Sequence, residues 1–167
     1  MVLEKYLSGI YIIAAALIVY GIAFLIVENK KRSFTVSTLE ELPYKTAFLI
    51  GCFQVLAVIP GTSRSGATIL GAVLLGCSRY VASEFSFFLA VPVMFGASGL
   101  KLIKYFFNVG MFTQEELLLL LTGTMVAFAV SILTIQLLLD YIRRHNFKVF
   151  GWYRIILGII IIFYFGA

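Results

Sequence analysis

Residues 7–27 of this chain contain no Asp, Glu, Lys or Arg. About 20 consecutive apolar residues cross the hydrocarbon core of a bilayer as a helix. Further apolar runs occupy residues 85–100, 117–139 and 149–167. The chain is 62% hydrophobic and 13% charged, whereas soluble domains are about 45–50% apolar and about 25% charged. We therefore expect an all-α polytopic membrane protein, with four transmembrane helices in a single membrane domain.

A fifth apolar region, residues 47–77, is interrupted by the polar string PGTSRSGAT at residues 60–68. The flanking arms are too short to cross a bilayer, and Pro60 and Gly61 break the helix between them. Irregular backbone at membrane depth is tolerated only where protein or a water-filled cavity covers it. We expect a re-entrant helix–loop–helix hairpin, whose second arm begins near Thr68.

The distribution of basic residues predicts which loops share one side of the membrane. If residues 47–77 do not cross, loops 28–46, 78–84 and 140–148 carry eight lysines and arginines, against three on the other side. Cytoplasmic loops carry the excess of basic residues. We therefore expect the hairpin to enter from the cytoplasm and the C-terminus to lie outside. The net charge of +5 then reflects topology and not nucleic-acid binding.

An arginine in the hairpin loop makes residues 60–68 a candidate anion site. Placing Arg64 at membrane depth costs about 2.5–3.5 kcal/mol on insertion scales. Arginine stays ionised and presents a planar fork to two phosphate oxygens. The N-terminal dipole of the second arm would point at the same anion. Hydroxyl groups for its remaining oxygens, and glycines that let the backbone approach it, are Thr62, Ser63, Ser65, Thr68, Gly61 and Gly66.

A structural role for the same loop stays open. Serine and threonine in membrane helices bond to backbone carbonyls, and an interfacial arginine can extend its charge to water. Arg64 would then pair with Glu84 or with another helix. We expect Arg79 and Glu84 to form an interfacial ion pair or cap, and Ser83 and Ser86 to serve helix packing.

Two patterns of the Ser/Thr-x-x-Glu form predict helix starts. Ser37 with Glu40 predicts a short helix that leads to Tyr44, and Thr113 with Glu116 predicts the start of the span at 117–139.

Metal-binding residues are scarce in this sequence. Cys52 and Cys77 lie in apolar arms without metal-ligand spacing, and the single histidine, His145, lies in a basic loop. We expect two inert thiols and no metal site within this chain.

The string PGTSRSGAT is similar to the second signature of the bacitracin-resistance family, the undecaprenyl-diphosphate phosphatases. The resemblance continues through IGCFQVLAVIPGTSRSGATI at residues 50–69 and SRYVASEFSFFLAVP at residues 78–92. It covers essentially the whole chain.

This resemblance implies hydrolysis of undecaprenyl diphosphate to undecaprenyl phosphate and phosphate in a bacterial plasma membrane, which recycles the lipid carrier of cell-wall polymers. The implied fold is two inverted repeats of a re-entrant hairpin with three spans, and the predicted topology has the form of the second repeat preceded by one span. The family's essential arginine falls on Arg64. The implied catalytic residues are Arg64 and Ser63, and the implied substrate-binding residues are Ser65, Thr68, Thr62, Gly61 and Gly66.

The family's first signature, an E-x-x-x-E pair followed by a loop ending in Gly-His, has no match here. The glutamates at the expected helix starts are adjacent pairs, Glu40 with Glu41 and Glu115 with Glu116. The resemblance implies that the acid–base groups come from an N-terminal half, so we expect an incomplete chain with that half as a partner. Two such carboxylates could hold Mg²⁺ or Ca²⁺ with a diphosphate, whereas no cofactor is expected within this chain.

Two functions of different classes remain open. The chain is a lipid-diphosphate phosphatase or its C-terminal portion, or it is an inactive lipid-binding or transport remnant with the same anion clamp. Broken helices that point their N-termini at an anion also occur in transporters. The membrane phosphatidic-acid-phosphatase type requires a histidine soon after Ser-Arg, and SGATILGAVLL follows Arg64 instead.

Overall fold

A computed structural model describes residues 9–29 and 34–166. Four of its helices are long and apolar enough to cross a membrane. The described residues form no strand beyond one isolated bridge between Val36 and Cys77. The prediction of an all-α polytopic membrane protein is therefore confirmed. In chain order the helices are α1 Ile10–Asn29, α2 Tyr44–Gln54, α3 Arg64–Leu74, α4 Arg79–Asn108, α5 Gln114–Arg144 and α6 Lys148–Gly166, with a 3-10 turn Val55–Val58 after α2.

The spanning helices α4 and α5 are longer than the apolar runs that predict them. Helix α4 extends residues 85–100 at both ends, because Ser78 caps its first turn and Pro92 does not end it. Helix α5 extends residues 117–139, and the predicted capping box is confirmed: the Glu116 carboxylate accepts from the Thr113 N–H at 2.9 Å. Helices α1 and α6 correspond to residues 7–27 and 149–167, of which residues 7, 8 and 167 lie outside the described part.

The predicted helix start at Ser37 is wrong. Glu41, not Glu40, supplies the carboxylate here, and its Oε2 accepts from the N–H groups of Ser37 at 3.0 Å and Thr38 at 3.3 Å. These bonds close a turn rather than a helix. Helix α2 begins at Tyr44, directly after Pro43, because a proline lacks the N–H that a helix start leaves unpaired.

Helices α2 and α3 form the predicted re-entrant hairpin. Each has 11 residues and is about 16 Å long, whereas the hydrocarbon core is about 30 Å thick. The chain before α2 pairs with the chain after α3: the Thr35 N–H donates to the Gly76 carbonyl at 2.8 Å, and the Ser78 N–H donates to the Val36 carbonyl at 2.9 Å. The hairpin therefore enters and leaves on the same side.

The tip of the hairpin lies deep along α1. Gly61 has a φ of +87°, and a Cβ built there would stand 2.7 Å from the Ile13 carbonyl oxygen. Ile13 precedes the end of α1 at Asn29 by about 24 Å along the helix axis. Any residue with a Cβ at position 61 would therefore strain its own backbone and would also clash with the backbone of α1.

Small residues bring α1 and α6 into direct backbone contact. A Cβ at Gly21 would stand 2.8 Å from the Gly151 carbonyl oxygen, and one at Gly158 would stand 2.9 Å from the Ala14 carbonyl oxygen. Because the later residue of α1 meets the earlier residue of α6, the two helices are antiparallel. Such close approach is typical of small-residue interfaces in membranes, and it holds α6 beside the hairpin.

The Glu28 carboxylate ties three loops together on one side. Its side chain is 3% exposed, and its Oε2 lies 2.6 Å from Arg79 Nη2. Its Oε1 accepts from the Phe147 N–H at 3.2 Å. The predicted ion pair between Arg79 and Glu84 is therefore wrong. Glu28 ends α1, Arg79 begins α4 and Phe147 precedes α6, so the loops grouped by charge do lie together.

Candidate functional site

Ser63 sets the start of helix α3. Its backbone is extended and its Oγ accepts from the Gly66 N–H at 3.1 Å, which is how serine caps a helix N-terminus. Helix α3 therefore begins at Arg64, four residues before the predicted start at Thr68. Arg64, Ser65 and Gly66 form its first turn, where backbone N–H groups and the helix dipole favour an anion.

Within the described residues, the Arg64 side chain has no carboxylate partner. It is half-buried at the hairpin tip, and among the described residues no ion pair or side-chain hydrogen bond involves its guanidinium. Arg64 and Glu84 line the same cavity of about 530 Å³ without forming a salt bridge, so the first of the two partners named for a structural role, Glu84, is not used. The Glu84 carboxylate instead accepts from the Tyr80 hydroxyl at 3.3 Å. An unpaired guanidinium in this position favours an anionic ligand.

A second arginine, Arg154 of α6, was missed in the sequence. A Cβ built at Gly66 would stand 2.8 Å from Arg154 Nη2 and 3.2 Å from its Cζ, so the guanidinium lies against the first turn of α3. Its Nη1 is buried without a hydrogen-bond partner, and its Cζ lies 5.7 Å from the centroid of the Phe24 ring. The sequence does contain a signal for Arg154: it is a charged residue within the predicted span 149–167, just as Arg64 is a charged residue within the hairpin.

Arg154 and the loop hydroxyls share a cavity of about 290 Å³. Ser63 and Ser65 line it with their Oγ atoms 3.1 Å apart, and Gly66, against which Arg154 lies, lines it as well. The first turn of α3 thus has Arg64 facing one cavity and Arg154 facing the other. Phe87 of α4 lines both cavities. One cavity thus presents the Arg154 guanidinium and two hydroxyls beside the helix N-terminus, which are groups that bind anionic oxygens, and the other presents the Arg64 guanidinium.

Thr68 is placed differently from the other loop hydroxyls. It is 1% exposed, and its Oγ1 lies 3.1 Å from the Arg64 carbonyl oxygen, 3.0 Å from that of Ser65 and 2.6 Å from Ser86 Oγ. These contacts join α3 to α4, which matches the packing role expected of Ser86. Ser83 bonds within α4 instead, where its Oγ donates to the Arg79 carbonyl at 3.0 Å, so its expected packing role stays a prediction. A substrate contact of Thr68 stays a prediction.

Gly61 lies beside α1, and Thr62 directly precedes Ser63, the cap of α3. Thr62 is 9% exposed, and its Oγ1 is buried without a partner. Gly61 is pressed against the Ile13 backbone. The predicted contacts of Thr62 and Gly61 with substrate stay predictions. The Thr62 hydroxyl, which is buried without a partner next to Ser63, is available to donate to a ligand.

Residues 9–29 and 34–166 contain no group of three His, Cys, Asp or Glu side chains that could hold a metal ion. Cys77 is fully buried, and burial raises the pKa of its thiol, which keeps it protonated and unreactive. Cys52 is exposed on α2. His145 stacks on Tyr141 with ring centroids 4.3 Å apart.

Comparison with known proteins gives consistent matches along this chain. A family model described as "Bacitracin resistance protein BacA" matches residues 1–160. The undecaprenyl-diphosphatase of Acetivibrio thermocellus is 62% identical over 157 residues, which cover 93% of this chain and 57% of the relative. That of Enterococcus faecalis is 57% identical over 162 residues (96% and 58%), and that of Lactiplantibacillus plantarum is 52% identical over 165 residues (98% and 60%). The chain thus spans less than two thirds of the length of these relatives.

Proposed function

The chain belongs to the bacitracin-resistance protein BacA family, and from this premise we propose that it takes part in hydrolysing undecaprenyl diphosphate to undecaprenyl phosphate and phosphate. The printed name of its relatives supports this activity. Four apolar helices suit a lipid substrate and a multi-pass place in the bacterial plasma membrane. Recycling of the cell-wall lipid carrier and resistance to bacitracin would follow from the same reaction.

The observation that carries this proposal is the pair of arginines at the start of α3. Arg64 and Arg154 lie on different sides of the first turn, and neither has a carboxylate partner among the described residues. Each guanidinium is costly at membrane depth, and a diphosphate carries enough negative charge to compensate both. Lipid diphosphates are the substrate class that brings such an anion to this depth.

In the proposed reaction Arg64 and Arg154 bind phosphate oxygens and stabilise the negative charge that develops as the phosphoanhydride bond breaks. The Ser63 Oγ accepts a hydrogen bond from the Gly66 N–H and contacts the Ser65 Oγ. These two contacts fix the first turn of α3 in the position where its groups can bind the same phosphate oxygens. Ser63 and Arg64 are the residues that we assign to the reacting phosphate, with Ser65 and the neighbouring N–H groups as substrate ligands.

Hydrolysis also needs an activated water or nucleophile and a proton-transfer group. We assign these to the part of the protein that corresponds to the relatives' unmatched length, acting as a second half beside this one. If Mg²⁺ or Ca²⁺ takes part, its carboxylate ligands would lie there too.

The test supplies that second half. The chain is reconstituted in nanodiscs with the unmatched part of the Acetivibrio thermocellus relative as a separate polypeptide, and phosphate release from undecaprenyl diphosphate is measured. We expect release with the wild-type chain and none with Arg64→Ala, while the exposed Lys101→Ala serves as control. Release that survives Arg64→Ala would contradict the role of Arg64. Lipid binding without any release would favour the non-enzymatic lipid-binding function.

A further inference from the structure

The guanidinium of Arg154 lies over the ring of Phe24 in α1, with its Cζ 5.7 Å from the ring centroid. A cation within about 6 Å of an aromatic centroid is attracted by the negative potential of the ring face, and the attraction is larger where water is excluded. Phe24 is 5% exposed. The ring therefore stabilises a charge that burial within the membrane-spanning part of the chain makes costly.

An aromatic ring supports a guanidinium in a different way from a carboxylate. A carboxylate would accept two parallel N–H···O bonds from Arg154, and a phosphate would have to displace it. A phenyl ring has no lone pairs, so the N–H groups stay available to another acceptor. Arg154 fits this second case, because its Nη1 is buried without a hydrogen-bond partner and no carboxylate pairs with it among the described residues.

The ring and the guanidinium line the same cavity as the hydroxyls at the start of α3. Phe24, Arg154, Ser63 and Ser65 all contribute to the cavity of about 290 Å³. Arg154 also contacts the first turn of α3, where a Cβ at Gly66 would stand 2.8 Å from its Nη2. The guanidinium of α6 thus contacts both α1 and α3 and can reach an anion bound in this cavity.

A second aromatic residue holds the Phe24 ring in place. The ring of Phe147, which is 4% exposed, lies with its centroid 5.8 Å from that of Phe24 at an interplanar angle of 57°. The Phe147 N–H in turn donates to the Glu28 Oε1 at 3.2 Å. The position of the Phe24 ring is therefore fixed by protein contacts that require no ligand.

We propose that Phe24 is a positioning residue for Arg154. It holds the guanidinium at the start of α3 while leaving its N–H groups free for the phosphate oxygens of an anionic substrate. This inference rests on the proposed function and adds a residue of α1 to its anion site. A phenyl ring that only filled space would act through its shape, whereas the positioning role depends on the electrons of the ring face.

The test replaces Phe24 by phenylalanines with one, two and three ring fluorines, which weaken the negative potential of the ring face and nearly preserve its shape. Equilibrium binding of inorganic diphosphate to the purified chain in nanodiscs is measured. We expect the affinity to fall stepwise, to about tenfold lower with three fluorines. Unchanged or rising affinity along this series would overturn the proposal.

The same series at Phe147 is the matched control. Phe147 is as buried as Phe24, but among the described residues its ring contacts the rings of Phe24 and Phe150 and not a guanidinium. Diphosphate affinity should stay within about twofold. Equal losses at the two positions would mean that the aromatic packing, and not the contact with Arg154, determines the affinity.

The position of the guanidinium can also be followed without a ligand, by NMR of the Arg154 Nε–H group in the ¹⁵N-labelled chain. The signal is assigned by its absence in Arg154→Lys. A ring face shifts the protons of a group that lies over it upfield. We expect Phe24→Leu to remove this upfield shift and Phe147→Leu to retain most of it. An unchanged Arg154 signal in Phe24→Leu would contradict the positioning role.

These measurements separate failure of this inference from failure of the proposed function. If Arg154→Ala weakens diphosphate binding but the fluorinated series at Phe24 does not, only the role of Phe24 is wrong. If the wild-type chain does not bind diphosphate, the proposed anion site is wrong and the positioning role falls with it.

Discussion

The Arg154 guanidinium lies directly against Gly66, where a Cβ would stand 2.8 Å from its Nη2. This contact joins the last helix of the chain to the first turn of the hairpin's second arm. Gly66 lies inside α3, so its importance is the space it leaves and not the backbone conformations it permits. The antiparallel contact of α6 with α1 holds Arg154 at this height, and residue 66 determines how closely it approaches.

Gly66→Ala should therefore weaken anion binding. The new methyl group occupies the position of the guanidinium, so Arg154 must move away from Ser63 and Ser65. We expect an affinity for inorganic diphosphate about tenfold lower, which corresponds to the loss of about one charge-assisted hydrogen bond. The measurement is equilibrium binding of radiolabelled diphosphate to the purified chain.

Gly51→Ala is the matched control for that substitution. Gly51 lies inside α2, and no atom stands within 4 Å of its hypothetical Cβ. Alanine should stabilise either helix by about 0.5–1 kcal/mol relative to glycine. Gly51→Ala should show this gain with unchanged diphosphate binding. Unchanged binding in Gly66→Ala would mean that Arg154 does not contact the anion.

Thr68→Val separates a packing role from a substrate contact. Valine keeps the shape of Thr68 but removes the hydroxyl that lies 2.6 Å from Ser86 Oγ, leaving a buried serine unpaired. We expect the free energy of unfolding to fall by about 1–3 kcal/mol while diphosphate affinity stays nearly constant. Thermal unfolding in detergent measures the first quantity.

Adding Ser86→Ala to Thr68→Val should restore part of the lost stability, because the double substitution leaves no unpaired hydroxyl. A large loss of diphosphate affinity without loss of stability would instead support the predicted substrate contact of Thr68.

Glu28→Gln should destabilise the junction of α1, α4 and the loop before α6. The glutamine keeps the side-chain shape but loses the negative charge that pairs with Arg79. The Arg79 side chain is 38% exposed. Because water screens that side of the pair, we expect about 1–3 kcal/mol less stability, measured as unfolding in a denaturing detergent titration. Glu40→Gln, at an exposed carboxylate, should change stability little. Equal effects of both substitutions would argue against the buried pair.

Much of the fold follows from the sequence, because its signals are local or set by the bilayer. Segment hydropathy predicts the four spans, and arm length predicts the hairpin. The charge of the loops predicts which of them meet at Glu28. The capping box at Thr113 is correct for the same reason, since its bonds lie within four residues.

The errors concern choices among neighbouring partners. Glu40 and Glu41 both stand near Ser37, and the turn geometry selects Glu41. Arg79 has Glu84 nearby on its own helix but pairs with Glu28, far away in the sequence. The contact between Arg154 and Gly66 depends on how α6 packs against α1, which no local pattern encodes. The arginine itself was visible as a charge within a span.

The central claim is that Arg64 and Arg154 hold one anion at the start of α3. The most direct measurement is binding of inorganic diphosphate to the wild-type chain, Arg64→Ala, Arg154→Ala and the control Lys101→Ala. We predict that each single arginine substitution lowers affinity at least about tenfold, with no change in the control. Full affinity in Arg154→Ala, or in Arg64→Ala, would contradict the shared site.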